Sequence, residues 1–180
     1  MAILKSNQAF QRLDELELTV CSFFNHIGDR RSIERFFTVI SRLGNGVFWY
    51  FLMAIIPFVD TINGYIVSIH MAVVALVCLL IYKVLKNNLV RERPFIKWDT
   101  IRNGTAPLDL YSFPSGHTLH AVAFTIVAVT YYPMLGILLI PFTVLIALSR
   151  VILGLHYPTD VLVGTVIGAC IAAGSFYLPI

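Results

Sequence analysis

From residue 45 onward the chain is a succession of apolar runs broken by one long polar stretch, and no other feature constrains the fold as tightly. A bilayer core takes about 20 apolar residues per helix, with some tolerance. The runs fall at 45–59, 65–85, 117–132, 134–153 and 159–178. The first is short but rich in aromatics, including Trp49 and Tyr50. The brief links at Asp60–Asn63 and Tyr132–Pro133 predict tight hairpins between neighbouring helices. Gly164, Gly168 and Ala172 recur every four residues in the last run, a stripe that lets helices approach closely. Composition agrees, with 58% of the 180 residues hydrophobic and only 13% charged. A soluble domain has roughly a quarter of its residues charged to cover its surface, so this surface is made for lipid.

Two amphipathic segments precede the spans. Residues 8–27 place Phe10, Leu13, Leu16, Val20, Phe23 and Phe24 three and four apart, and 30–42 interleave arginines with Ile33, Phe36, Phe37 and Ile40. Both are expected to lie at the membrane surface as anchors. Asp14, Glu15 and Glu17 interrupt any apolar run near the start, so no secretory signal and no cleavage are expected. The fold class expected is an all-α integral membrane bundle of about five transmembrane helices, six if 8–27 inserts, plus an N-terminal amphipathic helix. Residues 1–180 are expected to form one membrane-embedded domain, with 1–42 interfacial and 86–160 carrying the chemistry. The net charge of +3 is too small to argue for nucleic acid. Cys21, Cys78 and Cys170 show no disulfide or metal spacing and are expected to be packing residues.

The polar stretch from Lys83 to Ser115 and the link at 150–158 should share one membrane face, given the number of spans between them. Ionisable groups at span ends that face a bundle interior are functional candidates. Here they suit phosphoryl transfer. Lys86, Arg93 and Arg150 can neutralise a phosphate and the charge that spreads over its oxygens, and Arg matches phosphate geometry with two parallel donors. Ser115 and Gly116 open an apolar helix, where backbone N–H groups can point at an anion. His156 and Asp160 are four apart, with Pro158 suited to a first helical turn. The carboxylate can orient one imidazole nitrogen and leave the other to attack phosphorus, while His117 can protonate the leaving oxygen.

The motifs resemble those of the type 2 phosphatidic acid phosphatase family, whose pocket is shared with vanadium haloperoxidases. Lys86, six residues and Arg93-Pro94 form the first. Pro114-Ser115-Gly116-His117 is the second. Ser149-Arg150, five residues, His156, three residues and Asp160 form the third. All are complete, in order and at span ends. The resemblance implies that Lys86, Arg93 and Arg150 bind phosphate with Ser115 and Gly116. It makes His156 the nucleophile, Asp160 its orienting partner and His117 the acid, with no metal and no other cofactor.

The activity so implied is removal of phosphate from a lipid through a phosphohistidine. The substrate would be of the phosphatidic acid, phosphatidylglycerol phosphate or undecaprenyl diphosphate class, in a cytoplasmic (inner) membrane with the site on the extracytoplasmic face. The concentration of Lys and Arg on the site-bearing face and the N-terminal segments pulls the other way, toward the cytoplasm. Alternatives are a lipid phosphotransferase using the same pocket and a non-catalytic bundle. Partners expected are the lipid substrate and membrane lipids, with no nucleic acid and with self-association left open. Of the other polar residues, His120 is expected to be a hydrogen-bonded neighbour of the pocket and His70 a structural partner within a span. Arg91, Lys97 and Arg102 read as headgroup contacts or anchors, and Asp109 and Tyr111 as lining the entrance.

Overall fold

The computed structural model describes residues 8–177. Residues 1–7 and 178–180, which include the start of the expected interfacial segment and the last residue of the 159–178 run, lie outside the described residues. All regular structure within them is helical: α1 (Gln8–Ile27), α2 (Arg31–Leu43), α3 (Val47–Val59), α4 (Gly64–Asn88), α5 (Pro94–Lys97), α6 (Gly116–Tyr131), α7 (Gly136–Ile152) and α8 (Pro158–Ser175). A single 3₁₀ turn at Pro133–Leu135 joins α6 to α7. The five apolar runs therefore become α3, α4, α6, α7 and α8. Three helical stretches have both the length and the apolarity to cross a bilayer: Gly64–Asn88, Pro133–Ile152 and Pro158–Ser175. A fourth is possible where α2 and α3 continue one another through a 50° bend. Helix α6, at 16 residues, is shorter, and half of its residues are buried within the bundle.

Helix α6 is the central post, packed against α4, α7 and α8. Its inner face, with Leu119, Ala123, Phe124 and Val127, meets Trp49, Met71, Val74, Leu139 and Ile146 in one core. Trp49 lies 5.2 Å from the Phe124 ring and 6.0 Å from Phe142, so three helices share an aromatic contact. Outward, Phe58, Ile137, Leu138, Leu162 and Val166 are exposed and form the apolar surface that a bilayer covers. The hairpin between α3 and α4 is closed by Asp60, whose Oδ1 accepts the N–H groups of Ile62 and Asn63 at 3.1 and 3.0 Å. At that same end, far from the polar stretch, His70 bonds to Tyr131 and Ser175 at 3.0 and 2.7 Å, as a structural partner would.

Helix α1 turns the expected amphipathicity around. Its buried residues are Asp14, Glu17, Cys21 and Asn25, while Leu16 and Phe23 are 77% and 66% exposed. In a lipid setting the apolar side of a surface helix faces outward. The polar side is free to bind the cationic loops beneath it, and Asn25 does so by donating to the carbonyls of Arg102 and Ile152, both at 3.0 Å. Cys21 and Cys78 are buried, but Cys170 is exposed on α8 and is not the packing residue expected.

The small-residue stripe of α8 lies on α6. A Cβ at Gly164 would stand 2.7 Å from the Ser115 carbonyl oxygen, and one at Gly168 only 2.3 Å from that of Leu119. Both obstacles are backbone and cannot swing aside. Gly168→Ala should therefore destabilise the bundle by about 1–3 kcal/mol, the scale of overpacking. Gly174→Ala, where nothing lies within 4 Å, should be neutral. Thermal unfolding in detergent checks this, and equal midpoints for the two variants would contradict the packing described.

Candidate active site

Three chain segments bring the motif residues to one end of the bundle. Lys86 stands in the last turn of α4 and Arg93 immediately precedes α5. Gly116 and His117 open α6. Arg150 lies in the last turn of α7, and His156 in the short link to α8. That link turns sharply at Gly154, whose φ of +72° and a backbone oxygen 2.5 Å from its would-be Cβ exclude a side chain. The turn lets the N–H groups of Leu155 and His156 both bond to the Arg150 carbonyl at 3.0 Å, holding nucleophile candidate and cation together.

Arg93, Gly116, His117, Arg150 and His156 line a cavity of about 440 Å³, and Lys86 stands behind its wall, joined to it through Asp109. Arg93, Arg150, His117 and His156 form its polar end with Asn45, and Trp49, Leu76, Leu79 and Phe124 form an apolar wall. Arg93 Nη1 donates to the Leu155 carbonyl at 2.7 Å and lies 3.4 Å from His156 Nε2. Burial first, and then the guanidinium groups of Arg93 and Arg150, push the His156 pKa well below its usual value. The ring is therefore neutral and Nε2, turned toward the cations, can carry a free lone pair. His117 Nε2 contacts Asn45 Oδ1, and His120 Nδ1 donates to the Gly116 carbonyl at 2.8 Å.

Two expected contacts take a different form. Asp160 Oδ2 lies 3.7 Å from His156 Nδ1, an electrostatic distance rather than a hydrogen bond. The carboxylate is already shared, because Oδ2 accepts the Tyr157 N–H at 2.9 Å and Oδ1 accepts Arg91 at 2.5 Å. Likewise the Ser115 N–H does not point at the cavity, since it donates to the Asp160 carbonyl at 3.0 Å, and its hydroxyl pairs with Thr118 at 2.9 Å. The first bond within α6 runs from Leu119 N to Ser115 O, so the N–H groups of Gly116 and His117 precede the helical ladder and can serve an anion.

The flanking cations each pair with acidic side chains of the protein. Arg91 is fully buried. Its guanidinium donates to Asp14 at 2.8 Å, Glu17 at 2.7 Å, Thr159 at 2.8 Å and Asp160 at 2.5 Å. Its face rests 3.9 Å from the Tyr157 ring centre. Lys97 pairs with Asp14 at 2.6 Å, and Arg102 with Glu34 at 3.1 Å. Tyr111 does not line the cavity, whereas Asp109 does. Asp109 Oδ1 lies 2.9 Å from Lys86 Nζ and 2.8 Å from Arg93 Nη2, and Oδ2 accepts the Tyr82 hydroxyl. Burial opposes the charge of Asp109, but Lys86, the Tyr82 hydroxyl and Arg93 outweigh it and hold the carboxyl below the usual carboxylate range. Among the described residues, no group of three His, Cys, Asp or Glu is disposed to hold a metal ion. The sequence reading missed Arg91 and Asn45 as parts of this assembly. Nothing local marks either, because their partners lie 68 to 77 residues away in the chain.

Comparison with known proteins bears on the fold and the motifs together. Residues 65–179 match the sequence model of the PAP2 superfamily. The chain belongs to that superfamily. The structure superposes on Aquifex aeolicus LpxE with a TM-score of 0.79 and 25% identity, covering 91% of this chain and 96% of that one. It superposes on a transmembrane PAP2 type phosphatidylglycerolphosphate phosphatase from Bacillus subtilis with a TM-score of 0.69 and 28% identity, covering 95% and 86%. Phosphatidylglycerophosphatase B of Haemophilus influenzae is 42% identical over 67 residues, 32% of this chain and 28% of that protein. The chain spans about a third of the length of the curated relatives it matches. It is an integral membrane protein with the PAP2 helical bundle.

The buried Arg91 cluster makes a demand on this PAP2 fold. Removing one member of a buried ionic network leaves the others charged and unpaired, at about 3–5 kcal/mol. Arg91→Ala should lower stability by that amount in detergent, and Arg91→Lys should recover only part, because an ammonium cannot present the planar fork. An Arg91→Ala midpoint equal to wild type would contradict the buried network.

Proposed function

We propose that this PAP2 chain is a membrane lipid phosphatase that works through a covalent phosphohistidine on His156. The observation that carries the proposal is one cavity holding Arg93, Arg150, His117 and His156 at its polar end, with an apolar wall that continues to the lipid-facing surface at Leu76, Leu79 and Tyr50. A phosphorylated headgroup fits the first and an aliphatic chain the second.

The chemistry follows from the residues. Lys86, Arg93 and Arg150 bind the phosphate oxygens, with the Gly116 and His117 N–H groups at the positive end of α6. The lone pair on His156 Nε2 forms the P–N bond as the bond from phosphorus to the lipid oxygen breaks, and that oxygen takes a proton from His117. Water then attacks phosphorus, gives its proton back to His117 and displaces the imidazole, releasing inorganic phosphate. Asp160, itself fixed by Arg91 and the Tyr157 N–H, stabilises the imidazole electrostatically while it carries positive charge. The protein's cations supply the charge neutralisation in this scheme, so no metal or other cofactor takes part.

Phosphatidylglycerol phosphate is the first substrate to try. Two of the similar proteins carry names for that activity, phosphatidylglycerophosphatase B and the Bacillus subtilis enzyme. Phosphatidic acid and undecaprenyl diphosphate follow. Detergent-purified protein should release phosphate from at least one of these with EDTA present, and His156→Ala should lower the rate by at least about a thousandfold, as loss of a nucleophile does. Activity that needs a divalent metal, or that survives in His156→Ala, would overturn the mechanism.

The membrane is taken to be the cytoplasmic (inner) membrane, with the site on its extracytoplasmic face by likeness to bacterial lipid phosphatases. Three of the cations that argue for the cytoplasmic side belong to the pocket itself. Ala106→Cys, exposed on the site side, should then react with a membrane-impermeant maleimide in intact cells. Ile62→Cys, in the exposed α3–α4 hairpin, should react only after lysis. The reverse labelling would put the site in the cytoplasm.

A further inference from the structure

Asp109 belongs to none of the three motifs, yet its carboxylate lies on the two cations of the first. One oxygen is shared between Lys86 Nζ at 2.9 Å and Arg93 Nη2 at 2.8 Å, and the other accepts the Tyr82 hydroxyl. A phosphate oxygen bound by the same two donors needs the place that this oxygen takes. The backbone around Asp109 is anchored separately, since its carbonyl accepts Arg93 Nε at 3.3 Å. The side chain is 32% exposed at the cavity mouth, so it can turn outward while the loop stays in place. Arg150, deeper in the cavity, has no contact with Asp109 and keeps an Nε without a partner. Lys86, Arg93 and Arg150 carry three positive charges against the one negative charge of Asp109, and the surplus matches the −1.5 to −2 carried by a phosphate monoester near neutral pH.

We propose that Asp109 is a tethered competing anion, which substrate phosphate displaces from Lys86 and Arg93 and which returns to expel the inorganic phosphate product. The proposal rests on the phosphatase reading above. A carboxylate held on the same chain acts at a high effective concentration, so it weakens every anion that needs the same donors by a common factor. That weakening raises the substrate concentration the enzyme needs. It also keeps the last product from lingering in a buried site built of three cations. No bond is made or broken by Asp109. It exchanges one ion pair for another.

The test is direct binding of inorganic phosphate to detergent-purified protein by calorimetry, paired with product inhibition during turnover. Asp109→Asn should bind phosphate more tightly by roughly tenfold, the scale of losing one competing charge-assisted bond. Its inhibition constant for phosphate should fall in step. Tyr82→Phe, which removes the donor to the second oxygen and leaves both cations untouched, should move both constants the same way by less. It carries the test if Asp109→Asn does not fold. Unchanged or weaker phosphate binding in these variants would mean that Asp109 orders the cations for the ligand, and would overturn the proposal while the phosphatase reading stands. Phosphate binding by none of the proteins would overturn the anion site itself, and both readings with it.

Discussion

A single guanidinium, that of Arg91, ties the motif-bearing end of this protein together. It lies where α1, the polar loop and the start of α8 meet, and it is fully buried. A charge removed from water in this way is tolerable only if it is surrounded by partners of opposite sign with good geometry. Asp14 and Glu17 supply two from α1, and Asp160 supplies a third from α8. Because Asp160 also caps the Tyr157 N–H, the same guanidinium fixes the link that carries His156. His156 is thereby positioned by an element that never touches the cavity, the inward side of α1.

That arrangement explains why α1 reverses the usual pattern of a surface helix. Its apolar residues Leu16 and Phe23 face outward, and its acids Asp14 and Glu17 face inward. In water this would be unstable, since apolar surface would be exposed and charge buried. In a bilayer the outer face meets lipid, and the inner face meets Arg91, Lys97 and the carbonyls held by Asn25. The membrane makes a polar interior of this kind affordable.

The cavity faces the opposite problem, an excess of positive charge in a confined space. Lys86, Arg93 and Arg150 would repel one another if nothing intervened. Asp109 neutralises part of that charge and the Ser41 hydroxyl accepts from Arg150. Charge around the cavity is thus held short of full neutrality. Burial, and then those same cations, push the His156 pKa well below its usual value.

Much of this was legible in the chain itself. Apolar runs of 15 to 21 residues have no stable place but a membrane-embedded helix, so the bundle could be read from hydropathy, and the small-residue stripe of α8 from its spacing of four. The motif residues could be named because catalytic chemistry restricts residue type and local spacing. What the chain could not disclose is pairing over distance. Arg91 reads as a headgroup contact or anchor, Asp109 as lining the entrance and Ser115 as a phosphate donor. In each case the partner, Asp14, Lys86 or Asp160 respectively, comes from another segment of the chain. Hydropathy and spacing are properties of neighbours along the chain and survive without the fold. The partner of a buried charge is chosen by proximity in space, which exists only once the helices have packed.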